Sequence, residues 1–484
     1  MSEAMTPLAE DFGAPDRNRW MALVEKTLKG QAFNEALVTD TPDGIAIQPL
    51  YTVEDGVAVM RDLRARDVVR PWDLRMRLAH PDPRQTAAEA LKDLEGGAAS
   101  VLLAIDPSGQ AGVAVGSSDD LAKALDGVML DLAPVALDAG FLGPKAADWL
   151  GTLAKAAPNA PLNFHMDPLT AFAQTGGSPG PIESHLVSAA TVGARLSGTY
   201  AKAGLMLATG RAAHEAGGSN TEELALMAAG ALAYAKALVR AGLTMDEAFA
   251  RITLGVSVDG EYFTGVAKIR AARALWARIT DACGVSALPA RIEARSSGRM
   301  LTRQDAWTNL LRLTSAGFAA AVGGADAIIL GAFSDALGLP TAFGRRQSRN
   351  TQLVLMEESH LGRVADPAGG AWYLDSLTDQ LARGAWADFQ AIEAAGGVIK
   401  ALEAGLIADR VAGSRQGQEA AFADKSRKIL GVTVFPNADD KPVEVAVVDP
   451  VAFAVAGPDP RLPGPDSRCP PLTPIRFSAA FEGA

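Results

Sequence analysis

The sequence predicts an eight-stranded parallel α/β barrel, a (β/α)8 TIM barrel, with an N-terminal arm and an extended C-terminal linker. Short apolar runs rich in Val, Ile and Leu recur between longer helical patterns, and eight such runs can be counted. Each intervening helical window is long enough to carry the chain back for a parallel strand, and eight repeats favour a closed barrel over an open doubly wound sheet. A chain of 484 residues also exceeds the roughly 250 that a barrel needs.

In chain order, residues 1–84 stand outside the barrel rhythm and read as an N-terminal arm and layer. A helical pattern at Arg17–Leu28 is followed by a mixed stretch and then Arg70-Pro-Trp-Asp-Leu-Arg. Residues 85–410 read as the barrel with its closing helices. Candidate strands fall at 100–105, 127–132, 162–166, 203–208, 252–258, 287–294, 326–331 and 362–365. Helical windows fall at 85–95, 118–125, 144–156, 219–241, 264–282 and 303–322, with closing helices at 378–393 and 398–407. Residues 411–484 read as a last helix and an extended linker, because Pro and polar residues thicken from about residue 435.

Composition excludes several classes. Hydrophobic residues make up 48% against 21% charged, enough for a large core without disulfide staples. Cys283 and Cys469 are far apart with no CxxC pair, which argues against a disulfide framework or zinc knuckle and suits a reducing cytosol. A formal charge of −11 without a basic, aromatic-interleaved cluster argues against nucleic acid. Met1–Asp16 is acidic and matches neither a secretory signal nor a basic transit peptide, and no run of about 18 apolar residues exists, so a cytoplasmic protein with no membrane span is expected. Glycine-rich phosphate loops and a hydrolase elbow are absent, and adjacent Glu357 and Glu358 would point about 100° apart on a helix, unsuited to a facing acid–base pair.

No simple amphipathic pattern requires the stretch from 345 to 375, which holds Arg349-Asn350-Thr351-Gln352, Glu357-Glu358, Arg363-Val364, Asp366-Pro367 and Gly369-Gly370. It resembles the acyl-CoA mutases that use adenosylcobalamin, the methylmalonyl-CoA mutase family. Phe333–Thr341 and Ala267–Trp276 extend the resemblance in the same order. The resemblance implies a barrel that holds an acyl-CoA site, an arm that embraces a partner subunit, and a C-terminal segment leading to a cobalamin domain. That domain's Asp-x-His-x-x-Gly loop is not found, since none of His80, His165, His185, His214 and His360 has an aspartate two positions before it.

Radical rearrangement leaves the bond chemistry to the cofactor and asks the protein to grip the substrate, exclude water and polarise the thioester. Three regions that the resemblance assigns to this task are altered. The Gly-Tyr-His-x-x-Glu-Ala-Gly segment appears as Gly210-Arg211-Ala212-Ala213-His214-Glu215-Ala216-Gly217, with Arg211 for the tyrosine and Ala212 for the histidine. An alanine methyl cannot donate the hydrogen bond that the histidine would. His214 lies two positions on and reads as a capping or surface residue. Arg-x-His-x-Gln-Thr-Ser-Gly appears as Arg291-Ile-Glu293-Ala-Arg295-Ser-Ser-Gly298, and an inward Glu293 and Arg295 would pair with each other or with Arg299. Near the front, Tyr51-Thr52 is followed by Val53-Glu54-Asp55-Gly56, with no aromatic before Trp72.

The resemblance with these losses implies a non-catalytic subunit of a heterodimeric methylmalonyl-CoA mutase. It carries no catalytic, cofactor-binding or metal residues of its own, and its homologous large subunit holds adenosylcobalamin. An active acyl-CoA mutase subunit that borrows a separate cobalamin-binding subunit, with Arg211 or Arg295 as thioester donor, remains open. So does an acyl-CoA-binding or scaffold homo-oligomer. Bulky inward side chains at Leu102 or Leu103, Met129, Phe164, Met206, Arg291 and Ile329 are expected to close the barrel against CoA.

Overall fold

Eight parallel strands close on themselves in the computed structural model, which describes residues 16–58, 67–285 and 288–482. The strands are β1 Asp73–Leu78, β2 Ser100–Ala104, β3 Val135–Asp138, β4 Asn163–Met166, β5 Gly204–Thr209, β6 Ile252–Val258, β7 Ile292–Ser296 and β8 Ala327–Ile329. Each pairs with the next, and β8 returns to β1 with Ala327 opposite Asp73. The expected barrel is therefore present.

Six of the expected strands lie on or overlap observed ones, and two do not. The run at 127–132 forms turns, in which the Leu132 and Ala133 N–H groups donate to the Met129 carbonyl. Met129 and Leu132 are exposed, and the strand begins three residues later at Val135. The run at 362–365 is loop, and the barrel already ends at β8. The missing strand is β1, inside the segment expected for the arm, so the barrel starts at residue 73. Asp-Leu-Arg-Met-Arg-Leu alternates charge with apolar residues, which reads as a half-solvated strand; here the charged face turns into the barrel, where Arg75 is buried among other charges while Arg77 stays exposed. The reading of the first 15 residues and the start of the 287–294 run lie outside the described residues.

The expected helices appear, including Pro83–Glu95, Asn220–Arg240, Tyr262–Ala282, Asn309–Gly323 and Trp372–Ala394. A helix at Leu406–Ala423 runs through residues 410 and 411, where closing helices and tail were expected to part. Outward strand residues such as Leu103, Val135, Phe164, Met166 and Val256 join these helices in one continuous core. Asn220–Arg240 opens on a capping box in which Ser219 and Glu222 satisfy each other's backbone N–H, and Asp43 accepts from Asn220 Nδ2 and Thr221 N at 2.8 Å. That contact pins part of the arm to the barrel.

The residues of the 345–375 stretch tie helices together. Asp93 accepts from Arg349 Nη1 at 2.6 Å and from Arg345, and Gln352 accepts from the Trp72 indole at 3.2 Å. Arg270 donates to Asp375 at 2.6 Å and to Asp366 at 3.2 Å. Glu357 and Glu358 are exposed on a π-helical turn, Val354–Glu358. The tail runs extended over the surface, with the Ser178 N–H donating to Ser467, Cys469 to Gly176, Leu472 to Ala173 and Ile475 to Glu215.

Candidate functional site at the barrel mouth

Alternation along the strands decides what faces the barrel axis. On β2 the inward residues are Ser100, Leu102 and Ala104, and Leu102 meets Ala136 and Ile329 in a small apolar layer separate from the outer core. Two of the positions expected to fill the axis, Leu102 and Ile329, thus do so. Phe164 and Met206 point outward into the main core, Met129 is off the sheet, and Arg291 precedes β7 and is exposed. Because side chains alternate with period two, a strand read one residue out of register turns its bulky residues to the helices.

Charge surrounds that layer along the axis. Glu293 on β7, 1% exposed, accepts from Arg75 Nη1 of β1 at 2.6 Å and from Arg295 Nε at 2.8 Å. Arg75 also donates to Asp73 at 2.5 Å and to Ser100 at 2.8 Å. Arg295 Nη1 reaches Asp138 at 2.9 Å. Asp138 ends β3, four strands around the eight-stranded barrel from β7, so this bond spans the diameter. Burial would raise the pKa of Glu293, but Arg295, His165 and Arg75 outweigh it and hold the carboxyl well below the usual range. His165 on β4 lies 3.9 Å from Glu293, and burial pushes its pKa down to about 4. The expected pairing of Glu293 with Arg295 is present, and Arg299 takes no part in it. Arg299 instead donates to the His214 and Gly218 carbonyls and to Asp259.

His214 is a correction. It is fully buried rather than capping or at the surface, with Nδ1 3.0 Å from Glu223 in a cluster that includes Lys268, 2.7 Å from the same carboxylate. Ala212 is buried in the outer core, and only Arg211 of that pair reaches the mouth. The sequence reading missed Arg75, Arg77, Asp138 and His165. Its signal was the alternating arginines of β1, which make sense on a strand only if carboxylates face them.

At the C-terminal ends of the strands a cavity of about 780 Å³ opens over this network, lined by Arg77, Arg211, Arg295 and Asp335 and by tail residues including Val445 and Ile475. Among the described residues no group of three or more His, Cys, Asp or Glu side chains is placed to hold a metal ion. His80, at the cavity wall, accepts the Asp82 N–H at Nδ1 and packs edge-on against Phe453 of the tail.

Comparison with known proteins supplies the lineage. The family model for methylmalonyl-CoA mutase matches residues 41–456. The chain belongs to the methylmalonyl-CoA mutase family. A methylmalonyl-CoA mutase small subunit of Streptomyces virginiae is 39% identical over 90% of the chain and 73% of its own length. One of Propionibacterium freudenreichii subsp. shermanii is 34% identical over 90% of the chain and 71% of its own length. The methylmalonyl-CoA mutase of Escherichia coli is 29% identical over 89% of the chain and 66% of its own length. No helix among the described residues is long and apolar enough to cross a membrane.

Proposed function

We propose that this chain is the non-catalytic small subunit of a heterodimeric, adenosylcobalamin-dependent methylmalonyl-CoA mutase, acting in the cytoplasm to stabilise a homologous catalytic large subunit. The observation that carries this reading is the ion-paired strut through the barrel. A substrate threaded along the axis would have to break Glu293 from Arg75 and Arg295, leaving buried charges unpaired. The names of the relatives with 34% to 39% identity over 90% of the chain favour the same role.

The residues at the mouth do not fit adenosylcobalamin. Of the five histidines, His165 and His214 are sealed inside, His185 is bonded to the Pro179 carbonyl, His360 is on an exposed loop, and His80 is packed against the tail. Cofactor chemistry is accordingly assigned to the partner, and Arg211, Ala212, Glu293 and Arg295 are read as altered site positions with no catalytic role. The helix Arg17–Leu28 supports the pairing, because it buries no residue of its own and leaves Leu23 58% exposed. An amphipathic helix without a partner gains little from folding alone, and a large subunit would cover it.

The test is co-expression with a methylmalonyl-CoA mutase large subunit. Turnover of methylmalonyl-CoA is expected from the pair and none from this chain alone with added cofactor. Turnover by the isolated chain would overturn the reading.

A further inference from the structure

The cavity over the strut holds more hydrogen-bond donors than its own carboxylates use. Arg295 is 9% exposed, and Glu293 and Asp138 engage its Nε and Nη1 while Nη2 finds no partner. Arg211, at the start of the short helix Arg211–Glu215, approaches Glu215 only at 3.6 Å through Nη2, and its Nη1 is buried without a partner. Arg77 donates to the Ala111 carbonyl at 3.2 Å and, among the described residues, makes no ion pair.

The neighbouring carboxylates are already engaged. Asp138 is taken by Arg295, Glu293 by Arg75 and Arg295, and Glu215 accepts the Gly298 and Arg299 N–H groups at 3.3 and 3.2 Å. Asp335 accepts the Ala332 N–H at 3.0 Å and, with Asp138, attracts Arg77 without pairing to it directly. Burial first, and the charge of Arg295 next, lower the pKa of Arg211, so the two guanidinium groups are near enough to repel each other. A buried donor left unpaired is destabilising, and a charged one more so. Such an arrangement is stable chiefly when something accepts from it. Ile329, Leu330 and Leu301 give the same cavity an apolar wall, and about 780 Å³ is the size of a small-molecule site.

We propose that the cavity at the barrel mouth binds a small oxyanion, the carboxylate or phosphate group of a small molecule, held between Arg211 and Arg295 with Arg77 at its edge. Guanidinium groups match both chemistries through paired N–H donors, which is why the head group is fixed while its source is left to experiment. The site does not depend on the subunit role, since all three arginines belong to this chain and face its own cavity.

Titration calorimetry on the full chain tests this, using inorganic phosphate and, separately, oxalate at constant ionic strength set with chloride. Saturable binding with Kd below about 1 mM is expected for at least one anion. Binding of phosphate alone identifies a phosphate ligand, and binding of oxalate alone a carboxylate. Arg211→Gln should weaken binding tenfold or more, and Arg211→Lys, which keeps the charge but loses the fork, should weaken it several-fold while protecting the fold. Absence of saturable heat with both anions overturns the proposal, as does unchanged affinity in both variants.

Discussion

Removing Glu293 should show whether the barrel is held shut by its own charges. The Glu293→Ala change deletes two charge-assisted bonds, of 2.6 and 2.8 Å, at a site 1% exposed. Breaking one side of a buried ion pair costs about 3–5 kcal/mol because the abandoned charge stays in low dielectric. Arg75 keeps Asp73 and Arg295 keeps Asp138, so the lower end, about 3 kcal/mol, is expected. With an unfolding entropy of about 2 cal/mol/K per residue, a cooperative chain of this length has roughly 1 kcal/mol/K, so the thermal midpoint should fall by about 3 °C. Urea unfolding gives the same free energy independently through its midpoint. Replacing the whole network together, Asp73→Asn, Arg75→Met, Asp138→Asn, Glu293→Leu and Arg295→Met, should recover most of the loss, since uncharged residues of similar volume replace buried ion networks at little or no cost. A loss below about 1 kcal/mol in Glu293→Ala, the value of a solvated surface pair, would refute the closed-barrel reasoning.

Three further outcomes are expected. His165 has a native pKa of about 4 against an ordinary value near 6.5, so between those values the unfolded chain binds a proton that the native chain does not. Stability should therefore fall as pH drops from about 6.5 to 4, by about 3 kcal/mol in all, and His165→Asn, which tolerates the left-handed φ of 45° there, should remove that part of the slope in pH-dependent urea unfolding. Gly180 has φ of 100° and a Cβ there would lie 2.3 Å from the Leu462 carbonyl oxygen, so Gly180→Ala should loosen the tail, read as faster proteolysis near residues 455–470 with unchanged far-ultraviolet circular dichroism. Deleting residues 1–40 should weaken pairing with the large subunit while leaving the barrel folded, measured by native mass; pairing as tight as that of the full chain would make the arm a merely docked terminus.

The barrel was legible because its outer layer obeys simple periodicity. Helices such as Arg17–Leu28 and Tyr262–Ala282 lie where their apolar spacing places them, and β6, Ile252–Val258, matches the expected run. What failed was the inner face. The strand β1 carries Arg75 and Arg77 on its inward face, and the burial of Arg75 is readable only when Glu293, 218 residues away on β7, is known to meet it. The run 127–132 has the hydrophobicity of a strand but closes on itself at Met129, a local bond that composition does not reveal. In the site, the pairing of Glu293 with Arg295 followed from spacing alone, two residues apart on one strand face, whereas Asp138, His165 and buried His214 required the closed fold.

The bond from Arg295 to Asp138 also bears on where this lineage can go. It belongs to a set contributed by β1, β3 and β7, whose members each make sense only while the others remain. A histidine placed at 293 would strand Arg75 and Arg295, and an uncharged residue placed at 295 would free Asp138 and Glu293, so each single change passes through a less stable protein. Several coordinated changes would be needed before the axis could reopen without that loss. The network works as a ratchet, in which mutual dependence among its members, rather than any single one of them, makes stepwise change costly.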